Sequence, residues 1–487
     1  MFRRFSRDRP VGDVIPYFEP ISGIHHLFFL CPSTDVDSTD LRLESATWEH
    51  ISSADLVHWR RHPTALAPGL AGVDSTGTYT GCIVRSGDLW HLFYVGVDHA
   101  APFPQTICHA VSTDLITFDK DPANPVVIPS SGFETGDWRD PFVYWNDVAG
   151  EYWMLISARQ AQGPRARRGA LAIATSPDLS TWTVRDEPLI APMSTLVPEC
   201  AELVSIDGRT ILAYSAYTGR PGLHFHERTP DGTWRPLRAF TDGAGWYAAR
   251  SLRDATGRTL SFGWIPDRAG RTDEGAAIWG GDLGLPRELW LDTDNQVRHR
   301  LPAEIVSHLS RPLAIEIRPR LGGWEIAGDA AVSRIEPLSI AVVSAPAAET
   351  MRLHTRVTFT GNDGVAGVLI RATEDLDAGV QLLIDPQSRT VGLYKLSVEW
   401  THLTGAFFAP ILAHTSQVAL PKSIEIEVVL DGECIEVFVD GMSFSHRQYG
   451  AAEHAFALFS QHGSVRFDSV SVCMPTIDTQ ASVPLGD

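Results

Sequence analysis

A seven-residue unit occurs three times in the first 200 residues, and a repeat of this kind limits the folds that a chain can adopt. The copies share a Ser, an Asp-Leu pair and a final aromatic residue: Ser53-Ala-Asp-Leu-Val-His-Trp59, Ser112-Thr-Asp-Leu-Ile-Thr-Phe118 and Ser176-Pro-Asp-Leu-Ser-Thr-Trp182. Ser and Asp side chains hydrogen-bond to nearby backbone groups in turns. Each copy therefore predicts a turn that leads into an outer strand.

A series of short, apolar, aromatic-rich runs accompanies these turns. The clearest runs are 26–30, 91–95 and 152–156, weaker ones are 211–214 and 260–264, and their starts lie 49 to 65 positions apart. Five units of four short strands over about 300 residues predict a five-bladed β-propeller in residues 1–310. Helical periodicity is nearly absent, which favours an all-β protein.

The pattern changes after residue 310. Residues 311–328 are interpreted as a linker, and residues 329–487 are interpreted as a β-sandwich. Runs such as 351–359 and 424–430 alternate between apolar and polar residues, and an Asp-Gly turn follows another strand at 440–441. This alternation indicates antiparallel strands with one face exposed to water.

Composition narrows the classes of partner. The formal net charge of −19 argues against nucleic acid, because phosphate binding needs a basic surface. No apolar run has the length of a membrane span, and no apolar core follows the basic start at residues 1–9. The six cysteines form no CxxC pair, which is typical of free thiols in a reducing compartment. The sequence therefore predicts a cytoplasmic protein without nucleic-acid or membrane partners.

Three acidic residues share one position in the repeat. Asp13, Asp140 and Glu199 lie 13, 12 and 12 positions before the apolar runs of units one, three and four. This places each acid on the innermost strand of its unit, and inner strands converge on the propeller axis. Taken singly, each acid is better explained as a solvated, turn or strand-edge residue. Their common register instead predicts a glycosidase site, where one carboxyl is ionised and another carries a proton.

Several motifs, in order along nearly the whole chain, resemble those of glycoside hydrolase family 32, which includes invertases, inulinases and levanases. They are Trp48-Glu-His50, Asp55-Leu-Val-His-Trp59, the run 63–68, Tyr79-Thr-Gly81, Trp138-Arg-Asp-Pro141, Pro198-Glu-Cys200, the run 279–289 and the run 431–439. The resemblance implies a retaining, exo-acting hydrolase that releases terminal β-fructofuranosyl units from sucrose, short fructans or other small fructosides. It implies no cofactor and no metal.

The resemblance also implies roles for the three acids. Asp140, in the Arg-Asp-Pro motif, is the expected transition-state stabiliser, and Glu199, in the Glu-Cys motif, is the expected acid/base. Asp13 takes the place of the family's nucleophile, although Gly12-Asp-Val-Ile-Pro16 replaces the usual W-M-N-D-P-N-G motif. In the family, those Asn side chains help to bind the terminal fructose. Their absence therefore bears on which sugar is bound more than on the expected mechanism.

Six further residues are candidates for contact with the substrate: Trp48, Tyr79, Thr80, Arg139, Glu202 and Trp279. For Trp48 and Trp279 a place in the core is the alternative to a wall on which a sugar stacks. His25, His26, His50 and His58 lack the spacing of metal ligands and are interpreted as structural or solvated residues.

Three other functions remain open at this stage. A fructosyltransferase would use the same residues but pass the sugar to an acceptor other than water. An arabinofuranosidase on a related five-bladed scaffold would fit the missing Asn residues, and a non-catalytic sugar-binding protein would need one displaced acid. The sequence does not reveal the oligomeric state, although the sandwich of such proteins can pack against a neighbour in a homodimer.

Overall fold

The computed structural model describes residues 1–32, 45–239, 243–361, 364–397, 411–415, 418–450 and 454–477. In these ranges the chain forms 37 strands, which belong to seven antiparallel sheets. Five sheets come from the first 22 strands and two larger ones come from the rest. The prediction of an all-β fold, with five blades followed by a sandwich, is confirmed.

Each of the five smaller sheets is one blade of the propeller. Blade one contains β1 (Val14–Glu19), β2 (Ile24–Cys31), β3 (Thr47–Ser53) and β4 (Arg60–Arg61). Blade two contains β5 (Gly77–Ser86), β6 (Leu89–Val97), β7 (Gln105–Ser112) and β8 (Asp119–Lys120). Blade three contains β9 (Phe133–Asn146), β10 (Glu151–Gln160), β11 (Gly169–Ser176), β12 (Thr183–Val184) and β13 (Ile190–Met193), which also pairs with β11.

The last two blades complete the propeller. Blade four contains β14 (Glu199–Ile206), β15 (Arg209–Ala216), β16 (Gly222–Arg228) and β17 (Trp234–Leu237). Blade five contains β18 (Tyr247–Arg253), β19 (Thr259–Arg268), β20 (Ala277–Leu283), β21 (Arg287–Leu291) and β22 (Val297–Arg300). The innermost strands β1, β5, β9, β14 and β18 each contact the next, and β18 contacts β1, so the ring is closed.

The helical segments are short. Two 3-10 turns (Gly243–Gly245 and Ala269–Arg271) and the helix α1 (Ala303–His308) interrupt the strands. No helix in the described ranges is long and apolar enough to cross a membrane.

The repeated turns have one structure in all three copies. In the first, Asp55 accepts hydrogen bonds from the backbone N–H groups of Val57, at 3.0 Å, and His58, at 2.8 Å. The Leu of each copy has a positive φ, which is 63° at Leu56, 62° at Leu115 and 66° at Leu179. The Asp hydrogen bonds hold this uncommon conformation. Because the outer strands β4, β8 and β12 follow directly, the predicted turn-to-strand role is confirmed.

The remaining strands form two sheets that face each other across a second core. One sheet contains β23 (Arg311–Pro312), β25 (Trp324–Ala327), β26 (Ala330–Ser333), β28 (Thr350–Phe359), β33 (Ser423–Asp431), β34 (Cys434–Val439), β35 (Met442–Arg447) and β37 (Val465–Met474). The other contains β24 (Glu316–Leu321), β27 (Ser339–Ser344), β29 (Val365–Ala372), β30 (Ala378–Asp385), β31 (Thr390–Ser397), β32 (Ile411–Thr415) and β36 (His454–Gln461). Buried Val357, Val428 and Leu458 belong to this core.

The interpretation of residues 311–328 as a linker is corrected by the pairing of their strands. β23 pairs with β37, β24 pairs with β27 and β25 pairs with β26, so the segment belongs to the sandwich. Ile317 is buried in the sandwich core. β24 is irregular, because Pro319 lies at a register shift in its pairing with β27 and Gly322, directly after the strand, adopts a positive φ of 71°.

The N-terminal arm, residues 1–11, joins the two domains. Arg3 forms ion pairs with Asp431, at 2.7 Å, and with Glu436, at 2.6 Å, both in the sandwich. Arg4 instead pairs with Asp267 and Asp282 of blade five. From the sandwich, Arg447 reaches the same Asp282 at 2.6 Å and donates to the backbone carbonyl of Ile265 at 3.1 Å. The arm and Arg447 thus form a largely buried ionic network between the domains.

We expect Arg447→Met to destabilise the protein strongly. The Arg447 side chain is 1 % exposed, and its removal leaves the carboxylates of Asp282 and Asp267 with fewer cationic partners in a buried position. Breaking a buried ion pair in this way costs about 3–5 kcal/mol. A fall of several degrees in the thermal unfolding midpoint is the expected result.

Arg466→Met is the matched control, because Arg466 is 50 % exposed and pairs with Asp468 at the surface. Exposed ion pairs contribute little to stability, so this variant should unfold at nearly the wild-type temperature. Equal midpoints for the two variants would contradict the structural role given to Arg447.

Candidate active site

Asp13, Asp140 and Glu199 lie at equivalent places in three blades. Asp13 immediately precedes β1, Asp140 lies within β9, and Glu199 is the first residue of β14. The charges of Asp140 and Glu199 both act to raise the pKa of Asp13, so the three carboxylates share one site. The structure therefore brings together the acids that the repeat register predicted to converge.

β-bulges shape the inner strands at this level. β9, β14 and β18 each contain one, and in each a residue other than glycine has a positive φ: Asp140 at 56°, Cys200 at 51° and Ala248 at 50°. A bulge bends its strand and redirects the side chains around it. Such strained backbone is held by its surroundings and is frequent at functional sites.

Asp13 lies beside two tryptophans. Trp264 Nε1 donates a hydrogen bond to Asp13 Oδ1 at 3.2 Å. Trp279 packs edge-on against Trp264, with 6.2 Å between ring centroids, and also covers Gly12. A Cβ atom on Gly12 would lie 2.1 Å from Trp279 Cζ2, so a larger residue does not fit there. Burial, together with the charges of Asp140 and Glu199, raises the pKa of Asp13 to about 7.

Asp140 is the most enclosed of the three site acids, since only 3 % of the residue is exposed. Its Oδ2 accepts a hydrogen bond from the backbone N–H of Cys200 at 2.8 Å, which joins β9 to β14. Its carbonyl oxygen accepts a hydrogen bond from Arg250 Nη2 at 3.0 Å. Burial and the charge of Glu199 raise the pKa of Asp140, while Arg139 and Arg250 act in the opposite direction.

Glu199 has a donor on each carboxylate oxygen. Arg139 Nη2 donates to Oε1 at 2.9 Å, and the Tyr247 hydroxyl donates to Oε2 at 2.5 Å. Arg139 also pairs with Asp137 at 2.6 Å, which fixes the guanidinium between the two acids. The Glu199 side chain is 20 % exposed, so solvent or a ligand can reach it.

The predicted substrate contacts divide into two groups. Trp279 and Arg139 lie in the site, and Tyr79 is half-buried on β5. Trp48, Thr80 and Glu202 are buried, and their contact with substrate stays a prediction.

Protein contacts account for the burial of Trp48 and Glu202. Trp48 belongs to the apolar core shared by blades one and two, and its Nε1 donates to the Tyr79 carbonyl at 3.0 Å. Thr80 is 1 % exposed on β5. Glu202 Oε2 accepts a hydrogen bond from the backbone N–H of Ser251 at 2.9 Å, between blades four and five.

Three residues around the carboxylates were not predicted from the sequence: Tyr247, Arg250 and Trp264. Tyr247 lies in blade five at the position that the acids occupy in other blades. The repeat register therefore marks Tyr247, although the residue carries no charge. The side chains of Arg250 and Trp264 reach the site from β18 and β19; Trp264 ends the apolar run 260–264, whereas Arg250 lies in no motif.

Among the residues that the structure describes, no group of three or more His, Cys, Asp or Glu side chains is arranged to hold a metal ion. His50 stacks on Phe28 with 4.0 Å between centroids, and its Nε2 lies 2.9 Å from His26 Nδ1. Burial lowers the pKa of His50 to about 2, as expected for a histidine in the core.

Two protein-family models match the chain. Residues 17–300 match the model described as the glycosyl hydrolases family 32 N-terminal domain, and residues 327–473 match the model described as the family 32 C terminal. The chain belongs to glycosyl hydrolase family 32. The two matched regions correspond to the propeller and to most of the sandwich. Asp13 precedes the first matched region, so its place in the site is argued from the geometry.

Individual relatives are distant. The chain is 25 % identical to "Beta-fructofuranosidase, insoluble isoenzyme 1" from Daucus carota, over 58 % of this chain and 51 % of that protein. It is 24 % identical to "Sucrose-6-phosphate hydrolase" from Escherichia coli, over 85 % of this chain and 83 % of the relative. The match thus spans about half of the carrot protein's length.

A solved structure supports the fold. Fructan 1-exohydrolase IIa from Cichorium intybus superimposes with a TM-score of 0.72 at 18 % identity, covering 98 % of both chains. At this identity the likeness establishes the shared architecture of the family 32 proteins.

We expect Asp13→Asn to stabilise the protein at alkaline pH. The pKa of Asp13 is about 7 when folded, against about 4 for an ordinary Asp. A carboxyl that holds its proton more tightly in the folded state loses stability as pH rises from about 4 to 7. The thermal midpoint of the variant should therefore exceed that of the wild type at pH 8, and the gap should narrow toward pH 4.

Asp8→Asn provides the control, because it makes the same charge change at an exposed position five residues earlier. The thermal midpoint of Asp8→Asn should equal that of the wild type at every pH. If the midpoint of Asp13→Asn showed the same pH dependence as the wild type, ionisation of Asp13 would not destabilise the folded protein.

Proposed function

We propose that the protein is a retaining, exo-acting glycoside hydrolase that releases a terminal β-fructofuranosyl unit from sucrose, short fructans or other small fructosides. The observation that carries this proposal is the convergence of Asp13, Asp140 and Glu199 in different electrostatic surroundings. Family membership supports glycoside hydrolysis, and the names of the carrot and chicory proteins support a fructoside as substrate.

In the first step, Asp13 attacks the anomeric carbon of the terminal sugar. The bond between that carbon and the leaving oxygen breaks, and Glu199 supplies the proton that the leaving oxygen takes up. Glu199 suits this role because it is accessible and because Arg139 and Tyr247 fix both of its oxygens. Among the described residues, Trp264 is the one donor to the Asp13 carboxylate and it binds Oδ1, so Oδ2 is available for attack.

In the second step, Glu199 removes a proton from water, and the water oxygen displaces Asp13 from the sugar. Two displacements at one carbon retain the configuration of the sugar. Asp140 stabilises the positive charge that develops on the ring and accepts hydrogen bonds from sugar hydroxyls. Its enclosed position favours this role, since a buried carboxylate acts through a low local dielectric.

Exo action is supported by the depth of the site. Asp140 is nearly inaccessible, whereas the Glu199 side chain is partly exposed. A sugar that contacts both must enter with one end first, and the leaving group then extends toward solvent past Glu199. A terminal unit meets this requirement.

The test is incubation of the purified protein with sucrose, inulin-type and levan-type oligosaccharides, and aryl arabinofuranosides. We expect free fructose, released one unit at a time, with the β-anomer appearing first in NMR spectra. Glu199→Gln should lower kcat by about 10²–10⁴-fold, since that is the usual contribution of general acid–base catalysis. Asp13→Asn should lower kcat at least as much, and Asp8→Asn should leave it unchanged.

The pH dependence adds a second readout. The essential base of the free enzyme determines the acid limb of kcat/KM. Because the pKa of Asp13 is about 7, kcat/KM should fall as pH decreases through that value. Release of arabinose, or full activity of Asp13→Asn, would contradict the proposed function.

A further inference from the structure

Arg250 is a fully buried cation beneath the three carboxylates. It lies on β18 of blade five, with 2 % of the residue exposed, and its side chain reaches across to blade three. There Nη2 donates to the Asp140 carbonyl at 3.0 Å and Nη1 donates to the Pro141 carbonyl at 3.4 Å. The two carbonyls belong to the bulge of β9 that directs the Asp140 side chain.

These contacts address a strained part of the backbone. Asp140 has a φ of 56°, which is costly for a residue with a side chain. A guanidinium presents several N–H donors in a fixed plane, and Arg250 uses two of them on successive carbonyls. Phe142 packs near the same guanidinium, 5.8 Å from its ring centroid. Arg250 therefore fixes the conformation that aims Asp140 at the axis.

The charge of Arg250 acts on the whole site. Arg250 forms no ion pair within the described residues, because its hydrogen bonds go to carbonyl oxygens. Five ionisable groups face it: Asp13, Asp140, Cys200, Cys82 and Glu202. The positive charge lowers the pKa of Asp13 and of Asp140 and so opposes the effects of burial and repulsion.

Glu202 completes the arrangement. It is buried on β14, between Arg250's strand and blade three, and it accepts a hydrogen bond from the backbone N–H of Ser251, next to Arg250. Arg250 lowers the pKa of Glu202 as well, although burial raises that pKa to about 7. Glu202 thus anchors β18 at the residue that follows Arg250.

We propose that Arg250 is a positioning residue that locks the Asp140 bulge and supplies the positive charge that allows Asp13 and Asp140 to be ionised together. Glu202 supports it by anchoring β18 to β14. The catalytic part of this inference rests on the proposed function, whereas the electrostatic part concerns the folded protein alone.

Arg250→Gln and Arg250→Lys separate the two contributions. Gln removes the charge, so the acid limb of kcat/KM should move to higher pH by about one unit, the lower end of the effect of a nearby opposite charge. Lys keeps the charge but has no planar fork, so kcat should fall while the acid limb stays in place. KM should change less than kcat in both variants, because Arg250 does not touch the substrate.

Arg287→Gln is the matched control. Arg287 is also fully buried, but it stacks on Trp246 at 3.8 Å and donates to Ser443 and Ser445 at the domain interface. Its loss should lower the thermal midpoint without moving the acid limb. An acid limb that shifts equally in both Gln variants, or in neither, would overturn the proposal.

A measurement without catalysis distinguishes this failure from failure of the proposed function. Without the Arg250 charge, the folded-state pKa values of Asp13 and Asp140 rise further, so more stability is lost as pH increases from 5 to 8. The thermal midpoint of Arg250→Gln should therefore fall more steeply with pH than that of the wild type or of Arg287→Gln. This result would support the electrostatic role even if no fructoside were cleaved, and parallel curves would refute it.

Discussion

Mutual repulsion among three carboxylates at the propeller axis is the constraint that the surrounding structure must satisfy. Asp13, Asp140 and Glu199 are close enough for the pKa of one to depend on the charges of the others. Left alone, such a cluster would take up protons or separate. Here it is held by Arg139 on Glu199, by the Cys200 N–H on Asp140 and by Trp264 on Asp13.

The closed ring explains why the cluster persists. Its members come from blades one, three and four, and their partners come mainly from blades three and five. No single blade could hold the acids, because each of these three contacts joins two different blades. The N-terminal arm completes the closure, since Val11 bridges to Gly281 of blade five two residues before Asp13. Arg3 and Arg4 extend the same arm to the sandwich and to blade five, so the domain interface contributes to the position of Asp13.

Much of the fold could be predicted from the repeat, because each unit contains the residues of its own turn and of its inner strand. The register of the repeat also located the three acids without any knowledge of distances. The repeat does not show which side chains reach from one blade to another. Trp48 lies in the Trp48-Glu-His50 motif and Glu202 follows the Pro198-Glu-Cys200 motif, and both are buried between blades. Arg250 lies outside every motif, although its guanidinium reaches the Asp140 backbone 110 positions away.

The segment 311–328 shows a similar limit. In the sequence, nothing distinguishes a connector from irregular strands whose partners lie far along the chain. The pairing of β23 with β37 assigns the segment to the sandwich, and that pairing depends on the tertiary fold.

In the proposed reaction Asp13 forms a covalent bond to the sugar, and this bond can be trapped. The Glu199→Gln variant would be mixed with an aryl β-fructofuranoside, whose good leaving group needs no proton, then quenched in acid and examined by mass spectrometry. We expect a protein heavier by one fructosyl unit, with the added mass on the peptide that contains Asp13 and none when Asp13 is also changed to Asn. An adduct on another residue would contradict a covalent role for Asp13. So would release of the aryl alcohol with no adduct at all and with inversion of configuration at the anomeric carbon of fructose.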